Sequence, residues 1–134
     1  MLVAGYAGGK KTEAHIYQEA LTAVSSGTER VQVDLVTVDI PSHGAIVDLA
    51  VIGLGGGANA TYLRELLTQL KTTSNQAVLI QGGSASLNYA VISNAVKDMN
   101  LSEVHIVYSG KSARQSQIAQ VIKKSGANYY FIAK

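Results

Sequence analysis

The chain has 134 residues, of which 47% are hydrophobic and 15% charged, and it carries a net charge of +2. That length fits one domain, residues 1–134, with a core that buries roughly two-thirds of the surface an unfolded chain exposes. The lack of cysteine excludes disulfides, thiolate metal sites and cysteine nucleophiles, and a small, dispersed positive charge argues against duplex nucleic acid as a partner.

Residues 1–6 are a short apolar run closed by glycines. A helix is predicted over 12–25, with Ala14, Tyr17, Leu21 and Val24 on one face and Gly27 as its stop signal. Residues 31–40 are rich in β-branched residues and are read as a strand buried on both faces, which Pro41-Ser42-His43-Gly44 ends. The apolar run 48–54 reads as the next strand. Only one helical turn, at 45–47, fits between these two, which implies either a shortened crossover or an antiparallel pair.

Beyond that point the periodicity is regular. Leu63, Leu66, Leu67 and Leu70 mark a helix, 77–80 a strand, and Leu87, Val91 and Ala95 a helix. Residues 104–108 mark a strand, Ile118, Val121 and Ile122 a helix, and 129–132 the last strand. Strands alternating with helices predict an α/β fold, a three-layer Rossmann-like sandwich with a mainly parallel sheet of about six strands. Right-handed crossovers would then gather the helix N-termini at the carboxyl edge of the sheet, where such folds bind ligands at a switch in strand order.

Four small-residue clusters are expected at that edge: Tyr6-Ala7-Gly8-Gly9-Lys10, Gly55-Gly56-Gly57-Ala58-Asn59, Gly82-Gly83-Ser84-Ala85-Ser86 and Ser109-Gly110-Lys111-Ser112. A strand that stops at glycine turns backbone N–H groups toward a ligand, and the helix that follows adds partial positive charge, so each is a candidate anion cradle. Three glycines together at Gly55, Gly56 and Gly57 suggest close backbone approach to a ligand, with Asn59 as N-cap; the structural alternative is a roomy turn. Ser84 and Ser86 offer hydroxyls to phosphate or ribose oxygens, unless a serine there only caps a helix. Gln81 is placed to read a base or sugar edge, Tyr6 either to stack on a base or to sit at the core edge with its hydroxyl satisfied, and Lys10 or Lys111 to supply charge.

Neither the phosphate-loop pattern nor the dinucleotide fingerprint is complete, so no nucleoside triphosphatase activity and no nicotinamide or flavin cofactor is predicted, although Asp34 and Asp39 are candidates for a ribose contact. His15, His43 and His105 are scattered, no paired carboxylates recur at strand ends, and Gly-x-Ser-x-Gly is absent. No metal site is predicted. Any chemistry would rest on Ser84, Ser86, Lys10 or Lys111 orienting a phosphodiester.

A strand ending in Gly82-Gly83-Ser84, followed directly by an apolar helix and another strand, resembles the ligand loop of the CRISPR-associated Rossmann-fold domains, the CARF family. Ala85 stands where a lysine is common in that family, and Leu79 where a polar residue is usual. The resemblance implies a domain that binds cyclic oligoadenylates at a dimer interface.

Low charge density implies covered surface, for which a homo-oligomer is the simplest account. No run approaches the ~20 apolar residues of a membrane span and the first residues lack signal-peptide features, so a cytoplasmic protein with no membrane partner is expected. From residue 101 onward Lys111, Arg114, Lys123, Lys124 and Lys134 face Glu103 alone, which reads as a solvated helix face. The function expected is a small-molecule-binding domain that senses a nucleotide or other anionic, phosphorylated ligand. The alternatives are a metal-independent phosphodiesterase acting on a cyclic nucleotide, resembling a ring nuclease, and a ligand-free assembly protein.

Overall fold

Side chains along the strand Gln76–Gly82 alternate between two buried clusters, Val78 and Ile80 in one and Ala77 and Leu79 in the other. This is the period-two signature of a strand covered on both faces. The computed structural model describes residues 12–26, 34–72 and 76–133. In chain order its elements are α1 (Glu13–Ser26), β1 (Asp34–Ile40), α2 (Ala45–Gly53), α3 (Gly57–Leu70), β2 (Gln76–Gly82), α4 (Ala85–Val96), β3 (His105–Gly110), α5 (Gln115–Lys124) and β4 (Asn128–Ala133).

The strands form one parallel sheet in the order β1-β2-β3-β4. Strands in sequence order, joined by right-handed crossovers, return their helices to the same face. Accordingly Leu63 and Leu67 of α3, Leu87, Val91 and Ile92 of α4, and Ile118 and Ile122 of α5 pack with Val38, Ile80, Ile106 and Tyr108 in a single core. The opposite face is covered by α1, whose Ile16, Ala20 and Val24 meet Ala77, Leu79, Val107 and Ile132. The protein is therefore α/β with helix, sheet and helix layers, compatible with a Rossmann-like arrangement.

Two expectations are corrected. The run 48–54 is not a strand, because residues 45–53 form α2. A short apolar run has no period that separates a buried strand from a helix, and here the two ends decide. At the entrance Asp48 accepts hydrogen bonds from the Ser42 hydroxyl at 2.5 Å and the His43 amide at 3.0 Å. At the exit Gly55 donates to the Ile52 carbonyl and Gly56 to the Val51 carbonyl, both at 2.9 Å, the paired bonds of a Schellman C-cap. The connection from β1 to β2 thus contains two helices, and β1 runs parallel to β2, so the short crossover disappears.

The sheet is the second correction: it has four strands among the described residues rather than about six. One expected strand became α2, and residues 1–6 lie outside the described residues. No reversal of strand order occurs among the described strands, so the expected switch point is not found there.

Candidate functional site

Gln81 on β2 lies opposite Ser109 on β3. Neighbouring strands are about 4.8 Å apart, so the chain leaves the sheet side by side at Gly82 and Gly110. Each exit leads into a helix N-terminus. Ser84 is the N-cap of α4, with extended backbone, and its Oγ accepts the Leu87 amide at 3.3 Å. That satisfies one of the first-turn donors; the amides of Ala85 and Ser86 have no partner within the helix. Arg114, held at φ 60°, is the N-cap of α5 and provides no side-chain cap.

Two of the edge glycines answer an internal demand. Asn88, fully buried in α4, donates its Nδ2 to the Gly82 carbonyl at 3.0 Å and to the Tyr108 hydroxyl at 2.9 Å. The Asn88 amide fills the place a Cβ on Gly82 would take, and the Tyr108 hydroxyl lies 2.5 Å from where a Cβ on Gly110 would stand. Burial pushes the Tyr108 hydroxyl pKa up, opposed by its bond with Asn88. Gly83 differs: its φ is outside the left-handed region, it is exposed, and among the described residues a Cβ there would meet nothing within 4 Å. Neither backbone conformation nor packing among those residues requires glycine at this position.

Behind this edge, on the α1 face of the sheet, Asp39, Gln81 and Ser109 stand in register across three strands. Asp39 is exposed, while Gln81 and Ser109 are 5% and 0% exposed, and among the described residues Gln81 Oε1 and Ser109 Oγ have no hydrogen-bond partner. Buried polar oxygens are rarely left so. Lys111 and Arg114 are exposed on the loop after β3, the Arg114 guanidinium 5.6 Å from the centre of the Tyr89 ring. Ser86 is exposed in the first turn of α4.

The structure thus groups Gln81, Gly82, Gly83, Ser84, Ser86 and Lys111 at one edge. It does not bring the triglycine there as the end of a strand. Gly55, Gly56 and Gly57 join α2 to α3, and their amides are spent on the Ile52, Val51 and Leu54 carbonyls. Gly56 is pressed against α4, where a Cβ would approach the Val91 Cα to 2.9 Å. Asn59 is not an N-cap either; Gly56 holds that position and Asn59 lies inside α3. Tyr6, Gly8, Gly9 and Lys10 lie outside the described residues, as does Lys134.

The sequence does not single out Asn88 or Tyr89, and it offers Ser109 only as the first residue of the fourth cluster and Arg114 only as part of a basic, solvated helix face. A polar Asn88 among Leu87, Ala90, Val91 and Ile92 was a usable signal, because a buried amide must find partners. His105 stacks on Tyr130, its Nδ1 2.9 Å from the Tyr130 hydroxyl, and among the described residues no three potential ligands of the His, Cys, Asp and Glu types come together. No described helix is long and apolar enough to cross a membrane. The chain matches no family model, and neither a curated protein nor a solved structure is significantly similar to it.

Proposed function

We propose that the chain is a binding domain for a nucleotide or another phosphorylated small molecule, taken at the C-terminal edge of the sheet over β2 and β3. The observation that carries this reading is the juxtaposition of Gly83, for which the described residues supply no internal need, with the buried oxygens of Gln81 and Ser109, which find no partner among the described residues either. A phosphate would lie against Gly83 and the first turn of α4, with Lys111 and Arg114 at the rim. Each helix N-terminus contributes roughly 0.3–1 kcal/mol to holding an anion. Hydroxyl or amino groups of the same ligand would donate to Gln81 Oε1 and Ser109 Oγ, with Asp39 beside them for a ribose. Of the four clusters expected from sequence, this reading keeps the third and fourth and drops the triglycine. The likeness of Gly82-Gly83-Ser84 to the CARF loop extends the ligand class to cyclic oligoadenylates.

Thermal denaturation with inorganic phosphate and a panel of mono-, di- and cyclic nucleotides and oligoadenylates tests the proposal, because a ligand that binds only the folded state raises the Tm. At least one nucleotide is expected to do so. Gly83→Val should abolish the shift while folding normally, and Arg114→Ala should weaken binding several-fold. Chromatography of the mixture separates a binding domain, which returns the ligand intact, from a phosphodiesterase. No shift from any panel member, or unchanged binding by Gly83→Val, overturns the assignment.

A further inference from the structure

The outer surface of α2 is apolar and uncovered, and this observation is independent of the ligand site. Val47 is 47% exposed, Leu49 67% and Leu54 77%, and Tyr62 on the adjoining α3 is 58% exposed. Ala50 and Gly53 of α2 and Ala58 of α3 are exposed as well. At about 100° per residue, Leu49, Gly53, Ala50 and Val47, with the C-cap residue Leu54, span nearly half the circumference of α2, while Asp48, Val51 and Ile52 turn inward. The helix therefore has an apolar side in the core and a second apolar side facing out, where surface helices ordinarily place charge. Asp48 is the only charged residue between Gly44 and Tyr62, and it is buried and engaged by Ser42 and His43.

We infer that this surface is a self-association interface, in which α2 of one copy packs against α2 of a second copy about a two-fold axis. The area supports that occupant. The four large side chains expose on the order of 500 Å², at the upper end of the largest patches on ordinary monomers. Pairing two such patches buries on the order of 1,000 Å² before any rim contribution, close to the lower bound for a specific stable interface. The chemistry fits a second copy as well. An isologous contact sets a patch against itself, which a charged surface resists, but this one is neutral and buries no unpaired ion. Ala50 and Gly53 add no bulk between the two helices.

Sedimentation velocity from 1 to 100 µM reads the association directly. The parent should pass from monomer toward dimer in this range, and the Leu49→Glu/Leu54→Glu variant should remain monomeric at every concentration with an unchanged circular dichroism spectrum. A second measurement does not depend on that variant folding. The chain has no cysteine, so Leu54→Cys and, as a control on α5, Lys124→Cys each introduce a single thiol. A bismaleimide should cross-link the former into dimers and leave the latter monomeric. A parent that stays monomeric at 100 µM, a charged variant that still dimerises, or equal cross-linking of the two thiols overturns the inference. Binding of a monomeric parent to neutral lipid vesicles would assign the patch to a membrane surface and overturn it too.

Discussion

Asn88 and Tyr108, twenty residues apart, are joined by a 2.9 Å hydrogen bond in the core, and each stands where a Cβ on one of the edge glycines, Gly82 or Gly110, would otherwise be. The pair ties the first turn of α4 to β3 and fixes how both strands leave the sheet. Removing one partner should cost more than a single exposed bond. Tyr108→Phe loses one hydrogen bond and leaves the Asn88 link to the Gly82 carbonyl, so a destabilisation of about 0.5–1.5 kcal/mol is expected. Asn88→Ala strips both partners inside the core and opens a void, for which about 2–4 kcal/mol is expected. Urea denaturation of the single and double variants measures both values and their coupling.

Adjacent glycines should respond in opposite ways. Gly82→Ala places a methyl group on the Asn88 amide and near the Ile40 carbonyl, so it should destabilise by at least about 2 kcal/mol. Gly83→Ala should leave the Tm within about 1–2 °C of the parent, since its effect belongs to surface substitutions within about 0.5 kcal/mol. Comparable losses at the two positions would show that Gly83 also serves packing.

The triglycine turn makes a parallel case. Gly56, at φ 90°, faces the α4 backbone, whereas Gly57, at φ 58°, has its nearest neighbour at 3.7 Å. Alanine at either position incurs about 1–2 kcal/mol for the left-handed conformation, and at Gly56 it must also displace α4. Gly56→Ala should therefore be clearly the more destabilising of the two in chemical denaturation.

The hydroxyl of Ser42 and the amide of His43 hold the Asp48 carboxyl below its ordinary pKa. A carboxylate with a lowered folded-state pKa stabilises the native state above the unfolded value of about 3.9 and ceases to do so as pH falls through the folded value. The parent should thus lose stability below about pH 4 through this group, and Asp48→Asn should lack that component. Thermal denaturation of the two proteins between pH 3 and pH 7 should show their difference in Tm narrowing toward the acid end.

Local composition was enough to place most of the sheet and its helices. The leucines at 63, 66, 67 and 70 and the isoleucines of α5 repeat at a helical period, because the core lies on one stripe of a helix, and the apolar run at 77–80, closed by Gly82 and Gly83, is too short for anything but a buried strand. The element after β1 escaped because its nine residues, all apolar or small apart from Asp48, carry no such period. What makes it a helix is the bond from Ser42 to Asp48 and the C-cap at Gly55 and Gly56, contacts that exist only once the chain has turned. The glycines escaped for a related reason. A glycine reads the same whether it admits a ligand, adopts a left-handed cap or clears space for a neighbour. Sequence alone located Gly56, Gly82 and Gly83, but only packing against Val91, Asn88 and open space distinguished their roles.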